Sequence, residues 1–213
     1  MKNYIYIIYF CLLFNCHQAF AQSPYLQQIT DREGLPSMIV YDIMQDAQGY
    51  IWLGTEAGIC RYDGIHFETF KVSQAKGKSF TTLQQDAEGR IYFTNFSKQL
   101  FYIYQGKAHL VSLPPPLHKK GIDSYTIDHR NRLWVSGHRG LIFVKTEPSQ
   151  PWKSLGRYAP SNVIGAKFFL DPEGKVWIMH HKILVQTDEQ FKAKLKTKVG
   201  TKNQIVKLVF VGQ

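Results

Sequence analysis

The chain has 213 residues, long enough for one sizeable hydrophobic core or for part of a larger one. Lys and Arg outnumber Asp and Glu by 26 to 16, a balance that suits nucleic acid or an anionic surface as a partner. Of the three cysteines, two lie in the N-terminal leader described next, which excludes an internal disulfide in the mature chain. Cys60 lies within an apolar strand pattern, and we predict that it is a buried free thiol.

Residues 1–21 have the three parts of a secretory signal peptide. Lys2 supplies the positive start, Ile5–Phe14 is an apolar run without charge, and Ala19–Ala21 supplies the small residues of a cleavage site. The apolar run is too short to be a convincing membrane span. We therefore predict that residues 22–213 form an exported, periplasmic chain with no membrane span of its own. An exported protein meets little DNA, so we expect no nucleic-acid partner.

Four copies of a short phrase recur along the mature chain and determine the fold prediction. The copies are DAQGYIW (46–52), DAEGRIY (86–92), DHRNRLW (128–134) and DPEGKVW (171–177). Their leading aspartates are 40, 42 and 43 residues apart. A repeat of that length is one supersecondary unit, and neighbouring units bury a core together that none of them buries alone.

The first unit begins with a strand and a tight reversal. Ile39, Tyr41 and Ile43 alternate with other residues as in a short strand that is buried mainly on one face. Asp46 and Gly49 then reverse the chain. An aspartate accepts a hydrogen bond from the backbone two residues on, and a glycine tolerates positive φ.

Two further turns, at Glu56–Gly58 and at Asp63-Gly64, divide the rest of the first unit into three more strands. Four antiparallel strands in roughly 32 residues form the blade of a β-propeller. We therefore predict an all-β chain, a partial β-propeller of about four four-stranded antiparallel blades plus the start of a fifth. The predicted blades span residues 39–70, 79–113, 122–155 and 163–196, and the fifth inner strand spans residues 204–210.

Equivalent positions in the four copies favour a structural role. The aromatic residue that ends each phrase recurs in step with the aspartate, which favours packing between neighbouring blades over a ligand cage. An apolar residue three positions before each aspartate is predicted to hold the strand register. The repeat positions are Asp46, Gly49, Trp52, Asp86, Gly89, Tyr92, Asp128, Trp134, Asp171, Gly174 and Trp177, and the apolar residues are Ile43, Leu83, Tyr125 and Phe168.

The first unit resembles a known family. Residues 46–70, DAQGYIWLGTEAGICRYDGIHFETF, resemble the two-component regulator propeller repeat, which has the form D-x-x-G-x-[aliphatic]-W-x-G-T-x-x-G followed by Y-D-G and aromatic residues. The Gly34-Leu35-Pro36 step is similar to the segment before the first blade of such proteins. The resemblance extends over roughly residues 25–210 and weakens after the first unit, where Asn131 replaces one turn glycine.

This resemblance implies a role in sensing. In that family, such propellers form the exported sensor region of hybrid histidine kinases and are regarded as binding glycans and controlling polysaccharide-use genes. The sequence has no ATP-binding glycine-rich box and no phospho-accepting histidine in context, so only the binding role is carried over. A closed ring needs more blades than this chain encodes, which predicts a fragment of a longer sensor. The alternative is a short protein that associates with itself or another protein through its open propeller faces.

The sequence shows no catalytic, cofactor-binding or metal-binding pattern, and we expect none of these. His180 and His181 are adjacent on a strand and point to opposite faces, which disfavours a shared metal ion. If an oligosaccharide binds, we expect it at the end of the propeller where the interblade loops meet those joining second and third strands. The candidate ligand-facing residues are Glu56, Asn95, Phe96, His138, Arg139 and His181. One alternative is a propeller-type lyase or hydrolase that acts on a polysaccharide or on a cyclic peptide. The other is a non-catalytic protein-interaction scaffold.

Overall fold

A computed structural model describes residues 28–157, 166–180, 183–187 and 193–198. The predicted signal peptide, His181 and the predicted fifth inner strand (204–210) lie outside those residues. Sixteen strands in the described part of the chain form four antiparallel four-stranded sheets, each in sequential order, and together they are the blades of a β-propeller. The predicted fold class is confirmed.

The strands follow the predicted order. Blade 1 contains β1 (Val40–Gln45), β2 (Ile51–Thr55), β3 (Ile59–Tyr62) and β4 (Phe67–Phe70). Blade 2 contains β5 (Phe80–Gln85), β6 (Ile91–Asn95), β7 (Leu100–Tyr104) and β8 (Lys107–Leu110). Blade 3 contains β9 (Ile122–Ile127), β10 (Leu133–Gly137), β11 (Leu141–Lys145) and β12 (Lys153–Arg157). Blade 4 contains β13 (Lys167–Leu170), β14 (Val176–His180), β15 (Ile183–Thr187) and β16 (Ala193–Lys198).

Short 3-10 turns occur at Asp31–Glu33, Pro115–Leu117 and His138–Gly140. Among the residues described, no helix is long and apolar enough to cross a membrane.

The outer strand of blade 1 is shorter than predicted. The turn at Asp63-Gly64 predicts that the last strand of blade 1 spans Ile65–Phe70, whereas β4 begins at Phe67. One carboxylate oxygen of Asp63 accepts hydrogen bonds from the backbone N–H groups of both Ile65 (2.7 Å) and His66 (2.6 Å). These two residues therefore belong to the turn, because an aspartate that bonds its own backbone draws the chain out of the sheet ladder.

The aspartate of each repeat joins the inner turn to the aromatic residue of the second strand. In blade 1, Oδ1 of Asp46 accepts from the backbone N–H groups of Gln48 (3.0 Å) and Tyr50 (2.9 Å). Its Oδ2 accepts from the indole Nε1 of Trp52 at 2.7 Å. The predicted bond to the backbone two residues on is thereby confirmed. The bond to the indole is buried, and without the carboxylate this N–H would lack a partner, so the role of the carboxylate in this fold is structural.

The same bond recurs wherever the repeat has tryptophan. Oδ2 of Asp128 accepts from Trp134, and Oδ2 of Asp171 accepts from Trp177, each at 2.9 Å. Blade 2 has a tyrosine at this position, which offers no indole N–H. There the guanidinium Nε of Arg90 donates to Oδ2 of Asp86, and Arg132 makes the same bond to Asp128 in blade 3 beside the indole of Trp134.

The core lies between successive blades, as predicted for the aromatic positions. Trp52 packs with blade 2, Tyr92 with blade 3 and Trp134 with blade 4, and each of the three is buried. Each interface is an apolar layer contributed by two sheets, and burial of this kind is the main force that holds repeat units together.

The first strand forms as predicted, but its predicted burial is wrong. Ile39, Tyr41 and Ile43 were expected to form a buried face, yet they are 50%, 39% and 63% exposed. The residues at the position of Ile43 in blades 2 and 3 are Leu83 and Tyr125, which are 7% and 2% exposed because the preceding blade covers them. No described blade covers β1 in this way.

A segment before blade 1 covers the other half of that face. Ile29 and Leu35 pack against Leu53 and Cys60 of the sheet. The apolar pattern of residues 25–29 also predicts a strand before blade 1. Positions 28 and 29 do not form one, and positions 25–27 lie outside the described residues. Cys60 is a buried free thiol, as predicted, and burial raises its pKa to about 11.

Candidate ligand-binding groove

The loops predicted to share one end of the propeller do so. The start of each inner strand pairs with the end of the second strand: Phe80 lies opposite Asn95, and Ile122 lies opposite Gly137. The interblade connections therefore lie beside the turns that join second strands to third strands. Loops held on a rigid sheet scaffold are where binding residues are commonly found.

A groove of about 610 Å³ lies at this end, among blades 2, 3 and 4. Its lining combines hydroxyl groups, aromatic rings and a few charges. The hydroxyl residues are Thr81, Thr82, Thr94, Ser124 and Tyr125, the other aromatic residues are Phe96, Phe168 and Phe169, and the charged residues are Lys98, Asp123 and Lys167. A volume of this size falls within the range typical of small-molecule sites, roughly 300–1,000 Å³.

Asn95 and Phe96, both predicted as ligand-facing, line the groove but differ in what their side chains do. The amide of Asn95 is buried and closes the β6–β7 turn, because its Nδ2 donates to Oε1 of Gln99 and its Oδ1 accepts from the backbone of Gln99, each at 2.9 Å. Phe96 is 62% exposed, and its ring meets Tyr41 edge-on with centroids 4.8 Å apart. The turn built by Asn95 thus presents the ring of Phe96 at the rim.

Lys98 links the β6–β7 turn of blade 2 to blade 3. Its backbone carbonyl accepts from the N–H of Ile122 at 3.0 Å, and its ammonium group forms an ion pair with the carboxylate of Asp123. A Cβ atom at Gly121 would lie 2.3 Å from the carbonyl oxygen of Lys98, so only glycine permits this approach. The groove wall between blades 2 and 3 is therefore held by backbone contact as well as by charge.

His138 and Arg139 lie in the exposed 3-10 turn after β10, beside the groove rather than in its lining. The Nζ of Lys120 lies 3.0 Å from Nε2 of His138. An ammonium group only donates, so this imidazole nitrogen is the acceptor and carries no proton in that contact. Partial loss of solvent, followed by the neighbouring cations of Lys120 and Arg139, lowers the pKa of His138.

Tyr125 is a buried residue of the groove lining and links inner strands of neighbouring blades. Its hydroxyl donates to the backbone carbonyl of Thr82, and the ring is 2% exposed. Burial, together with the negative charge of Asp42, raises the pKa of this phenol well above its ordinary value. The hydroxyl therefore stays protonated and serves as a hydrogen-bond donor within the protein.

The remaining candidate among the described residues, Glu56, lies outside the groove. Glu56 is exposed in the β2–β3 turn of blade 1, where its carbonyl accepts from Ser79 Oγ at 3.2 Å, and it is not part of the groove lining. Sequence reasoning missed Lys98 and Asp123, although Lys98 was accessible to the loop rule that selected Phe96. In the described part of the chain, no group of three or more His, Cys, Asp or Glu residues is placed to hold a metal ion.

The sheets and groove define a β-propeller with a ligand-sized cleft at its loop end. Residues 34–57 match the model of the two-component regulator propeller, which confirms the resemblance inferred from the first unit. A search of curated protein sequences gives no match.

Solved structures share the fold. The virginiamycin B lyase from Staphylococcus aureus superposes with a TM-score of 0.62 at 17% identity, over 80% of this chain and 59% of the lyase. An extracellular domain assigned to a hybrid two-component system of Bacteroides thetaiotaomicron gives 0.58 at 21% identity, over 74% and 22% of the two chains. A second such domain from B. thetaiotaomicron gives 0.57 at 19%, over 81% and 24%. At these identities the likeness shows the fold alone, and this chain spans less than two thirds of each of these structures.

Proposed function

We propose that this chain is a non-catalytic, extracytoplasmic ligand-sensing propeller module of a hybrid two-component sensor, and that its ligand is derived from a polysaccharide. The observation that carries the proposal is the groove at the loop end, with an exposed aromatic ring at its rim and hydroxyl groups inside. It occurs in a chain whose residues 34–57 match the two-component regulator propeller. The predicted leader (residues 1–21) supports a periplasmic location.

The lining suits a sugar. The faces of a sugar ring carry C–H groups that pack on aromatic rings, and its hydroxyls both donate and accept hydrogen bonds. Phe96 supplies an accessible ring, and Thr81 and Ser124 supply hydroxyls that serve in either role. The hydroxyl of Thr94 donates to the backbone carbonyl of Thr81 at 3.3 Å, which leaves its oxygen as an acceptor. Binding sites of this kind combine an apolar lining with a small number of placed polar groups.

A titration of the full chain with oligosaccharides tests the proposal. Isothermal titration calorimetry against a panel of neutral and acidic disaccharides and tetrasaccharides is expected to identify a ligand whose affinity falls at least tenfold in Phe96→Ala. Tyr104→Ala is the matched control, because Tyr104 is an exposed aromatic residue (41%) on β7 at the opposite end of blade 2. Equal losses in the two variants, or no binding at all, would contradict the proposal.

A lyase function is the second candidate, because a histidine lies beside the groove of a fold that the virginiamycin B lyase shares. A crystal structure of that lyase with quinupristin contains a catalytically inactive histidine-to-alanine variant. His138 is a histidine beside the groove in the present chain. Incubation with quinupristin, followed by mass spectrometry, decides the point: cleavage that is lost in His138→Ala would favour the lyase, and intact quinupristin would favour the sensor.

We also propose that the exposed face of β1 takes another propeller blade, supplied in the isolated chain by a second copy. In each described interface, the aromatic face of one blade packs against the apolar face of the next blade. Ile43 lies on the corresponding apolar face of blade 1. Sedimentation velocity is expected to show a dimer or larger species that Ile43→Lys shifts to monomer. Ile65→Lys, at a turn residue that is 74% exposed, is expected to leave the distribution unchanged, and a wild-type monomer would contradict the proposal.

A further inference from the structure

Four basic side chains gather at one side of the groove. Lys98, Lys120, His138 and Arg139 come from two neighbouring blades and from three separate loops. Strand pairing brings them together, because Ile122 lies opposite Gly137 and the residues just before β9 therefore lie beside those just after β10. The bond between Lys98 and Ile122 adds the third loop.

The cluster has an excess of positive charge. Asp123 is the carboxylate that lies with it, and Asp123 forms an ion pair with Lys98. Among the residues described, neither Lys120 nor Arg139 has a carboxylate within ion-pair distance. The nearest polar partner of the Lys120 ammonium is the imidazole of His138, 3.0 Å away.

The charges are close enough to affect one another. The pKa of His138 is lowered by partial loss of solvent and then by Lys120 and Arg139, with a smaller contribution from Lys98, and Asp123 acts in the opposite direction. Like charges held together are unfavourable unless an anion lies between them, and a bound anion would convert this repulsion into attraction. Lys98 and Asp123 also line the groove, so the cluster adjoins the cavity directly.

We propose that the ligand of this groove is an acidic oligosaccharide, whose carboxylate or sulfate group binds among Lys120, His138 and Arg139. Its sugar rings then extend over Phe96 and the hydroxyl groups of the groove. The inference deepens the proposed function and rests on it. Charge-assisted hydrogen bonds to an oxyanion are stronger than those to neutral groups, and an arginine guanidinium matches both anions in geometry.

Calorimetry of the full chain with matched pairs of sugars tests the inference. The probes are digalacturonate against its methyl ester, and a sulfated disaccharide against its desulfated form; the two pairs distinguish a carboxylate from a sulfate. We expect one acidic probe to bind at least tenfold more tightly than its neutral counterpart, with an advantage that shrinks as salt is added. The double variant Lys120→Ala/Arg139→Ala is expected to remove that advantage.

Two controls separate a built site from general attraction to a basic protein. Lys107→Ala removes an exposed lysine at the opposite end of blade 2, and we expect it to change affinity by less than twofold. An NMR titration of His138 is expected to show its pKa rising when the acidic probe is bound, because a nearby anion favours the protonated imidazole.

The outcomes are distinct. Equal affinity for acidic and neutral probes, or an undiminished preference in the double variant, would overturn the acidic ligand while sugar binding stands. Equal losses in Lys107→Ala and in the double variant would also overturn it, because the attraction would then be nonspecific. Absence of binding to every probe would overturn both this inference and the proposed sugar-sensing function.

Discussion

Blade 1 and blade 2 have the same sequence pattern on the leading face, defined as the face of a blade that points towards the preceding blade. This face is nevertheless exposed in blade 1 and buried in blade 2. Ile43 and Leu83 both lie three residues before a repeat aspartate and are 63% and 7% exposed. Leu83 is covered by Trp52, Ile59 and the rest of the blade 1 layer. The comparison shows that an apolar residue in a propeller strand is buried by the neighbouring blade, whatever its own strand encodes.

The trailing faces, which point towards the following blade, also differ in burial. Trp134 of blade 3 is fully buried against blade 4, whereas Trp177 of blade 4 is only partly buried. Both indoles donate to their aspartate at 2.9 Å. The hydrogen bond is therefore made within the blade, while burial of the ring comes from the blade that follows it.

The largest effect is expected at the fully buried indole. Trp134→Ala should lower the free energy of unfolding by about 3–5 kcal/mol, because it removes a large side chain from a packed layer and leaves a cavity. Trp177→Ala removes an equivalent hydrogen bond but less burial, so its loss should be smaller by at least about 1 kcal/mol. Urea unfolding followed by circular dichroism measures both. Equal losses would show that the local bond, and not the neighbouring blade, determines the contribution.

The leading faces give the next largest difference. Leu83→Ala should cost about 2–4 kcal/mol, and Ile43→Ala should cost less than about 1 kcal/mol, because Ile43 already contacts solvent. The same urea titration, run at low protein concentration, compares the two. A loss at Ile43 that matches the loss at Leu83 would mean that another molecule covers β1 in solution, and its dependence on protein concentration would identify that molecule as a second copy.

The sequence predicts those features of the fold that depend on residues close together in the chain. The aspartate and its turn are adjacent in sequence, so the bond from the aspartate to the backbone was predicted. The bond to the indole was not, because the aromatic position was interpreted only as packing between blades. The exposure of Ile43 was not accessible, because it depends on a neighbouring sheet. The bonds of Arg90 and Arg132 to the repeat aspartates of blades 2 and 3 also needed coordinates, since a guanidinium two residues before the aromatic position reaches the same carboxylate oxygen as the indole.

The candidate site also combines features that the sequence predicts with features that only the structure shows. The shared end of the loops follows from strand order, and Phe96 and His138 were selected by that rule. Lys98 and Asp123 meet only because blade 2 contacts blade 3 through the backbone of Ile122. Asn95 lies at the predicted end, but the partner of its amide, Gln99, emerges only when the turn is built.

A substitution at Leu35 tests whether the segment before blade 1 protects Cys60 on the leading face of that blade. Leu35→Ala should cost about 1–2 kcal/mol and speed the reaction of Cys60 with a thiol reagent roughly tenfold, because local opening of the cover becomes easier. Leu117→Ala is the control, since Leu117 is fully buried between blades 2 and 3. It should lower global stability with little effect on the rate at Cys60. Equal acceleration by both variants would show that the thiol reacts only after global unfolding.

The smallest effect is expected from the charge of Asp171. Partial burial acts to raise its pKa, but hydrogen bonds from Trp177 and from the backbone of Lys175 outweigh this and hold the pKa below its ordinary value. The folded pKa thus lies below the unfolded value of about 3.8. The carboxylate therefore stabilises the fold above that pH, and the contribution is lost as pH falls through the folded pKa.

Asp171→Asn should be less stable than the wild type by under about 1 kcal/mol at pH 7, since the site is partly solvated and screened. The difference should shrink as pH falls below the unfolded value of about 3.8 and through the lower folded pKa, because the wild-type carboxylate becomes protonated. Urea unfolding at a series of pH values measures the difference, and Glu173→Gln, which removes an exposed carboxylate from the same turn, is the control. A difference that stays constant with pH would mean that Asp171 acts through the shape of the turn, with its charge contributing nothing.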